Sequence, residues 1–228
     1  MTPRLIIFDC DGTLVDSQHM IVAAMEMAFK SINLAPPDRD TILGIVGLSL
    51  PEAISRLTQG ADEDIISQIR ENYSNAFGIL RQDPVHAEPM YEGARDAILQ
   101  LALDENTLLG IATGKSRRGV DKMLERFGLA SYFVTIQTAD VAPSKPHPGM
   151  IERALAETGV NSADAVMIGD TTFDLEMANN AGVKAIGVSW GYHPVQLLEG
   201  AGVHGIVDDY AQLLSMLDSI FSARSVAE

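Results

Sequence analysis

The sequence predicts an α/β protein, a doubly wound parallel sheet interrupted near its start by a helical insert, and three observations carry that prediction. The apolar run Leu5-Ile6-Ile7-Phe8 reads as a strand buried on both faces. From about residue 84 onward, strand-like and helix-like stretches alternate, which is the rhythm of a sheet built from crossover units. Residues 17–81 instead lack strand-like runs and show helical spacing. The expected division is a core of residues 1–15 and 84–228 and an α-helical cap of residues 16–83, with hinges near Val15-Asp16 and Asp83-Pro84.

Taken in order, the first strand ends in Asp9-Cys10-Asp11-Gly12-Thr13. Side chains alternate along an extended chain, so Asp9 and Asp11 project to one side while Cys10 points away. An Asp-rich turn or a helix N-cap is the alternative reading of an Asp-Gly pair. In the insert, Met20, Ala24, Met27 and Ala28 follow a helical spacing, and Ile54, Leu57, Ile65, Ile66, Ile69 and Tyr73 continue it. Residues 44–51 read as a mobile connection able to close over a substrate, with Ser49 or Pro51 opening the next helix.

Beyond residue 84, helices are expected at 92–103, 117–127, 148–158, 173–181 and 210–221, with Gly128 and Gly182 as stops. Strands are expected at 107–112, 132–136, 165–168, 184–188 and 205–207. In such sheets ligands bind at the carboxyl ends of the strands.

Charge narrows the partners. Against 16 basic residues stand 31 acidic ones, for a net −15, which disfavours nucleic acid and anionic membrane surfaces. An anion site must therefore be made locally positive by a metal ion, a lysine or helix N-termini. A single cysteine forms no internal disulfide and fits a reducing compartment, with Cys10 a buried filler. No signal peptide is apparent, and no run approaches the ~18 apolar residues of a membrane span, so a cytoplasmic location is expected.

Polar groups fall at the expected strand ends. The first strand delivers Asp9 and Asp11, the second Thr113-Gly114, and the fourth Gly169-Asp170 with Asp174 beyond it; Lys145 follows the third. Asp170 alone reads equally as the N-cap of the next helix, and Asp174 as an ordinary first-turn acid. As a set, converging carboxylates repel unless a cation sits among them, and oxygen ligands suit a hard ion such as Mg²⁺. With that ion, Asp9 can act as a nucleophile, Asp11 as acid and base, and Lys145 and Thr113 as binders of phosphoryl oxygens, through an aspartyl-phosphate.

Two other motifs are set aside. Gly114-Lys115-Ser116 resembles the end of a phosphate-binding P-loop, but Leu109 stands where the first glycine belongs. Lys115, Arg117 and Arg118 remain able to attract an anion, the two arginines also fitting a solvated helix start. His19, His86, His147, His193 and His204 lack zinc-type spacing.

Asp9-Cys10-Asp11-Gly12-Thr13, Ala112-Thr113-Gly114, Ser144-Lys145-Pro146-His147-Pro148 and Gly169-Asp170-Thr171-Thr172-Phe173-Asp174 resemble, in order and spacing, the four motifs of the haloacid dehalogenase superfamily. The resemblance implies a Rossmann-like core with a helical cap of the phosphoglycolate phosphatase-like type. It implies that Asp9, the backbone carbonyl of Asp11 and Asp170 hold Mg²⁺, with Asp174 steadying Lys145 or a water on the metal. Gly114 and the cap loop residues Gly47 and Ser49 are the candidate substrate contacts. A small phosphorylated metabolite is the implied partner.

Within the superfamily, Asp11 argues against the dehalogenases, which lack that second acid. Lys30 lies away from the cap loop, which argues against phosphonatases. A β-phosphoglucomutase-like mutase, with Arg39 or Arg56 as cap cations, and a non-catalytic phospho-aspartate sensor are the alternatives to a phosphatase.

Overall fold

The computed structural model describes residues 3–222. Its centre is a six-stranded parallel sheet in the order β3-β2-β1-β4-β5-β6. The strands are β1 (Arg4–Phe8), β2 (Thr107–Thr113), β3 (Phe133–Thr138), β4 (Ala165–Gly169), β5 (Lys184–Val188) and β6 (Gly205–Val207). Strand order reverses at β1, which pairs with β2 on one side and β4 on the other. A crevice opens at the carboxyl ends of strands where the order reverses, and Asp9 and Asp170 emerge there from neighbouring strands.

Both faces of the sheet are covered, which explains why its central strands β1 and β4 are largely apolar rather than alternating. Ile6, Phe8 and Cys10 face one layer, packed on helices α5 (Ala94–Leu101), α6 (Arg117–Phe127) and α10 (Tyr210–Ser222). Leu5 and Ile7 face the other, packed on α7 (Gly149–Thr158), α8 (Thr172–Asn180) and α9 (Val195–Glu199). Cys10 is therefore a core side chain, and burial holds its thiol well above the usual range, which leaves it inert.

Four helices lie between β1 and β2: α1 (Gln18–Ser31), α2 (Arg39–Leu43), α3 (Leu50–Leu57) and α4 (Glu63–Leu80). They share their own apolar cluster, which includes Ile21, Met25, Phe29, Ile42, Ile54, Ile66 and Ile69. Met27 departs from the expected inward face and is 39% exposed, because α1 packs along α4 through Ile21, Val22, Met25, Ala28 and Phe29 instead. The two connections to the sheet lie side by side. Val15 bridges Met90, the Asp16 N–H donates to the Pro89 carbonyl at 2.8 Å, and the Tyr91 N–H donates to the Leu14 carbonyl at 3.0 Å. No helix among the described residues is long and apolar enough to cross a membrane.

Candidate active site

Asp9 is fully buried where β1 ends, and neither of its carboxylate oxygens has a hydrogen-bond partner among the described residues. The Lys145 ammonium lies 2.8 Å from Asp9 Oδ1, so the two attract without an aligned hydrogen bond. Burial pushes the Asp9 carboxyl up to about 6, with the Asp174 charge adding to that effect and Lys145 opposing it. A buried carboxylate left without donors in this way calls for a cation.

Lys145 is itself 1% exposed, and its ammonium also donates to Asp174 Oδ1 at 2.5 Å. Burial works against its charge, but Asp174 and Asp9 outweigh burial and hold its pKa above the ordinary lysine value. The loop carrying it is fixed at both ends. His147 N–H bonds the Ser144 carbonyl at 3.0 Å, and Asn180 donates to the Pro146 carbonyl at 3.0 Å.

Asp170 is held on both oxygens. Thr13 Oγ1 donates to Oδ1 at 2.9 Å and the Tyr192 N–H to Oδ2 at 2.9 Å, which leaves each oxygen one further lone pair. Burial, with the charges of Asp174 and Asp9, raises its carboxyl well above the usual range. Gly12 makes its position possible: at φ +87° a Cβ there would stand 2.2 Å from Asp170 Oδ2. Thr13 is locked in turn, its carbonyl accepting from Trp190 Nε1 at 3.1 Å and Tyr210 Oη at 2.7 Å.

Asp170 does not cap α8. Thr171 is the N-cap, and Asp174 closes a capping box by accepting from the Thr171 N–H at 3.1 Å and hydroxyl at 2.7 Å. Oxygens of Asp9, Asp170 and Asp174 lie within 4.8 Å of one another, a group able to hold a metal ion. Asp174 accepts from the Lys145 ammonium on Oδ1 and from both the N–H and hydroxyl of Thr171 on Oδ2, whereas Asp170 accepts one bond on each oxygen and Asp9 none, so Asp9 and Asp170 are the better-placed donors.

Asp11 is oriented by two donors to one oxygen. Lys115 Nζ lies 2.7 Å and Ser17 Oγ 2.6 Å from Oδ1, which leaves Oδ2 uncommitted. Tyr192 continues this network: its hydroxyl accepts from the Ser17 N–H at 3.1 Å and contacts Ser17 Oγ at 3.1 Å. Thr113, buried at the end of β2, accepts the Lys115 N–H at 3.2 Å.

A cavity of about 880 Å³ runs from Asp9, Asp11 and Thr113 outward between α4 and the start of α6. Gly47, Leu48 and Ser49 line it from one side and Gly114 and Lys115 from the other. The connection expected to be mobile is seated on the sheet end. The Ser49 N–H donates to Ser144 Oγ at 2.8 Å, and His193 Nε2 contacts the Gly44 carbonyl at 3.2 Å. Ser49 is the N-cap of α3, with Pro51 in its first turn. These anchors come from distant parts of the chain, so the local glycines gave no hint of them.

Gly114 is where the two sides meet most closely. A Cβ there would lie 2.4 Å from the Leu48 carbonyl oxygen and 2.6 Å from that of Gly47. Gly114→Ala is therefore expected to lift the loop off the site and lower kcat/KM by about tenfold to hundredfold, the usual cost of an ångström-scale misplacement. The thermal midpoint is expected to fall as well, because the Cβ meets backbone carbonyls that must shift, although Gly114 lies outside the left-handed region and its own backbone adds no strain. Steady-state kinetics beside a melting curve checks both.

Ser17, Glu88 and Tyr192 surround the site without having been singled out in the sequence, and His193, set aside for want of zinc-type spacing, joins them. Their partners lie up to 175 positions away in the case of Tyr192 and Ser17, and no local motif marks them.

This fold and arrangement of acids and lysine define a hydrolase of the haloacid dehalogenase type. The family model described as haloacid dehalogenase-like hydrolase matches residues 6–188, and the chain belongs to that family as one of its phosphatases. A relative named "Probable phosphatase IndB" from Dickeya dadantii is 36% identical over 227 residues, spanning 97% of this chain and 96% of its own. A phosphoglycolate phosphatase from Pseudomonas fluorescens is 27% identical over 219 residues, spanning 93% of this chain and 79% of its own. The crystal structure of a hydrolase from Pseudomonas syringae superposes with a TM-score of 0.84 at 27% identity, covering 96% of this chain and 99% of that one.

Proposed function

We propose that the chain is a Mg²⁺-dependent phosphatase that hydrolyses a small phosphomonoester, of the phosphoglycolate or sugar-phosphate type, through an aspartyl-phosphate on Asp9. The observation that carries this reading is the buried Asp9 carboxylate, free of hydrogen bonds and 2.8 Å from Lys145, at the head of a large cavity. Asp9, Asp170 and the Asp11 carbonyl are the ligands assigned to the ion, which when bound offsets the charge of the acids and of the phosphoryl group. An Asp9 oxygen attacks phosphorus while the ester bond breaks and Asp11 gives its proton to the departing alcohol. Asp11 then takes a proton from water as that water displaces Asp9 and releases phosphate. Lys145 and Thr113 hold the phosphoryl oxygens, and Asp174 keeps Lys145 in place.

Residues 16–83 serve in this reading as a cap that closes on hinges near Val15-Asp16 and Asp83-Pro84, excludes bulk water and selects the leaving group through Gly47, Ser49 and Gly114. Arg39 and Arg56, the cap cations a phosphosugar mutase would use, do not line the cavity; Arg39 bonds Gln18, and Arg56 pairs with Glu52 at 3.0 Å. The test is phosphate release from a panel of phosphomonoesters with Mg²⁺ and with chelator, scored also for isomerised sugar phosphate. Metal-dependent free phosphate supports the reading. Isomerisation without release, or no release at all, overturns it.

Stability reports on the ion independently of turnover. Asp9 and Asp170 have folded pKa values raised above their unfolded ones, so their contribution is fully present below the unfolded pKa and is lost as pH rises through the folded value, about 6 for Asp9. Metal-free protein is thus expected to lose stability through Asp9 as pH rises from 3.8 to about 6, and through Asp170 over a window that extends higher, and Mg²⁺ to restore it by mass action. The Mg²⁺-induced rise in thermal midpoint should be clearly larger near pH 7.5 than near pH 5, by an estimate of roughly twofold or more.

A further inference from the structure

Lys115 is 8% exposed at its side chain, buried among groups from three distant segments. Its ammonium lies 2.7 Å from Asp11 Oδ1, 3.1 Å from Glu88 Oε1 and 5.5 Å from the centroid of the Phe77 ring on α4. Glu88 belongs to the segment returning from α4 to the sheet and is also buried. Its second oxygen lies 3.4 Å from Arg81, and Arg126 reaches its carbonyl at 3.4 Å. A lysine ammonium has three donors, and here they are directed at two carboxylates and an aromatic face, so none remains for a phosphoryl oxygen.

The helix beneath is shaped for this lysine. Gly119 lies in the first turn of α6, where glycine is otherwise unfavourable, and a Cβ there would stand 3.0 Å from Lys115 Cγ and 3.3 Å from its Cε. The missing side chain is the space the lysine stem occupies. Lys145 bridges Asp9 and Asp174, and Lys115 bridges Asp11 and Glu88 in the same manner.

We propose that Lys115 and Glu88 are positioning residues for Asp11: Lys115, pinned by Glu88, fixes the Asp11 carboxyl through Oδ1 and so presents Oδ2 to the leaving-group oxygen. The inference rests on the reading of Asp11 as the proton-transferring group. Because Oδ1 already accepts from Lys115 and Ser17, a proton on Asp11 resides on Oδ2, the oxygen free to hand it over.

The test uses two substrates, an alkyl phosphate, whose alkoxide departs only with a proton, and p-nitrophenyl phosphate, whose leaving group departs without one. For Lys115→Met, kcat/KM on the alkyl phosphate is expected to fall about a hundredfold, the worth of a positioned acid. Single-turnover release of p-nitrophenolate should stay within about threefold of wild type, because that step needs no acid. Gly119→Ala keeps every charge and favours the helix, so it remains informative where Lys115→Met folds poorly; it should show the same selective loss, at roughly tenfold. Equal losses on both substrates would mean that Lys115 binds the phosphoryl group or only supports the fold, and overturn the proposal, as would undiminished alkyl phosphate turnover. No turnover of either substrate by the wild type would overturn the phosphatase reading, and this inference with it.

Discussion

Asp9→Asn is expected to abolish phosphate release, by a factor on the order of 10⁴–10⁶, the scale on which losing a covalent nucleophile is felt. The amide is nearly the shape of the carboxylate, so the loss is chemical rather than structural. The fold should in fact gain. Asp9 is fully buried beside Asp170 and Asp174, with its folded pKa pushed up to about 6 because Lys145 offsets burial only in part, so at neutral pH its charge costs stability whenever no metal ion balances it. Metal-free Asp9→Asn should therefore melt at or above the wild-type midpoint near pH 7.5, while the stabilisation by Mg²⁺ shrinks. Thermal melts with and without Mg²⁺, beside a phosphate-release assay, check both arms. Retained turnover would sink the covalent mechanism, and a large drop in midpoint would show that Asp9 is structural.

The opposite signs of those two effects bear on what a sequence can disclose. That Asp9, Asp11, Thr113, Lys145, Asp170 and Asp174 gather at one end of the sheet was legible from the set: singly an acid at a helix start is ordinary, but these residues end or follow successive strands of one sheet. The sheet was legible from its apolar runs: those at β1, β2, β4 and β5 are largely apolar on both faces, and the first three stop at glycine or acid. Helix stops at Gly128 and near Gly182 followed from backbone freedom, and both glycines have positive φ.

What the sequence withheld depends on contacts across the chain. Lys115 reads locally as a cation able to attract an anion, yet it is buried because Asp11 and Glu88 arrive from 104 and 27 positions away. The connection at residues 44–51 reads as mobile because glycines are permissive, yet Ser144 and His193 seat it. Asp170 reads as a cap because it precedes a helix, but Thr13 and Tyr192 claim its oxygens and leave the capping to Thr171 and Asp174. Local pattern identifies which residues are costly to place; tertiary contact decides what compensates each.

Lys145→Met carries that compensation to its limit. The ammonium stands between Asp9 at 2.8 Å and Asp174 at 2.5 Å, all three side chains being at most 1% exposed. Removing one member of a buried ion pair costs about 3–5 kcal/mol, chiefly through the charge left behind, and here two carboxylates are left. The variant should unfold at correspondingly lower denaturant near neutral pH and release no measurable phosphate. The deficit should narrow as pH falls, because Asp9 has a raised folded pKa and regains stability on protonation. Two effects are mixed in this variant, and a second substitution separates them. Lys145→Met combined with Asp174→Asn removes one stranded charge while Thr171 can still bond the amide oxygen, so part of the lost stability should return. Phosphate release should not return with it, since no lysine ammonium remains beside Asp9 to receive the phosphoryl oxygens. Denaturant curves at two pH values, with turnover measured on each variant, decide whether Lys145 serves the reaction or only balances the acids.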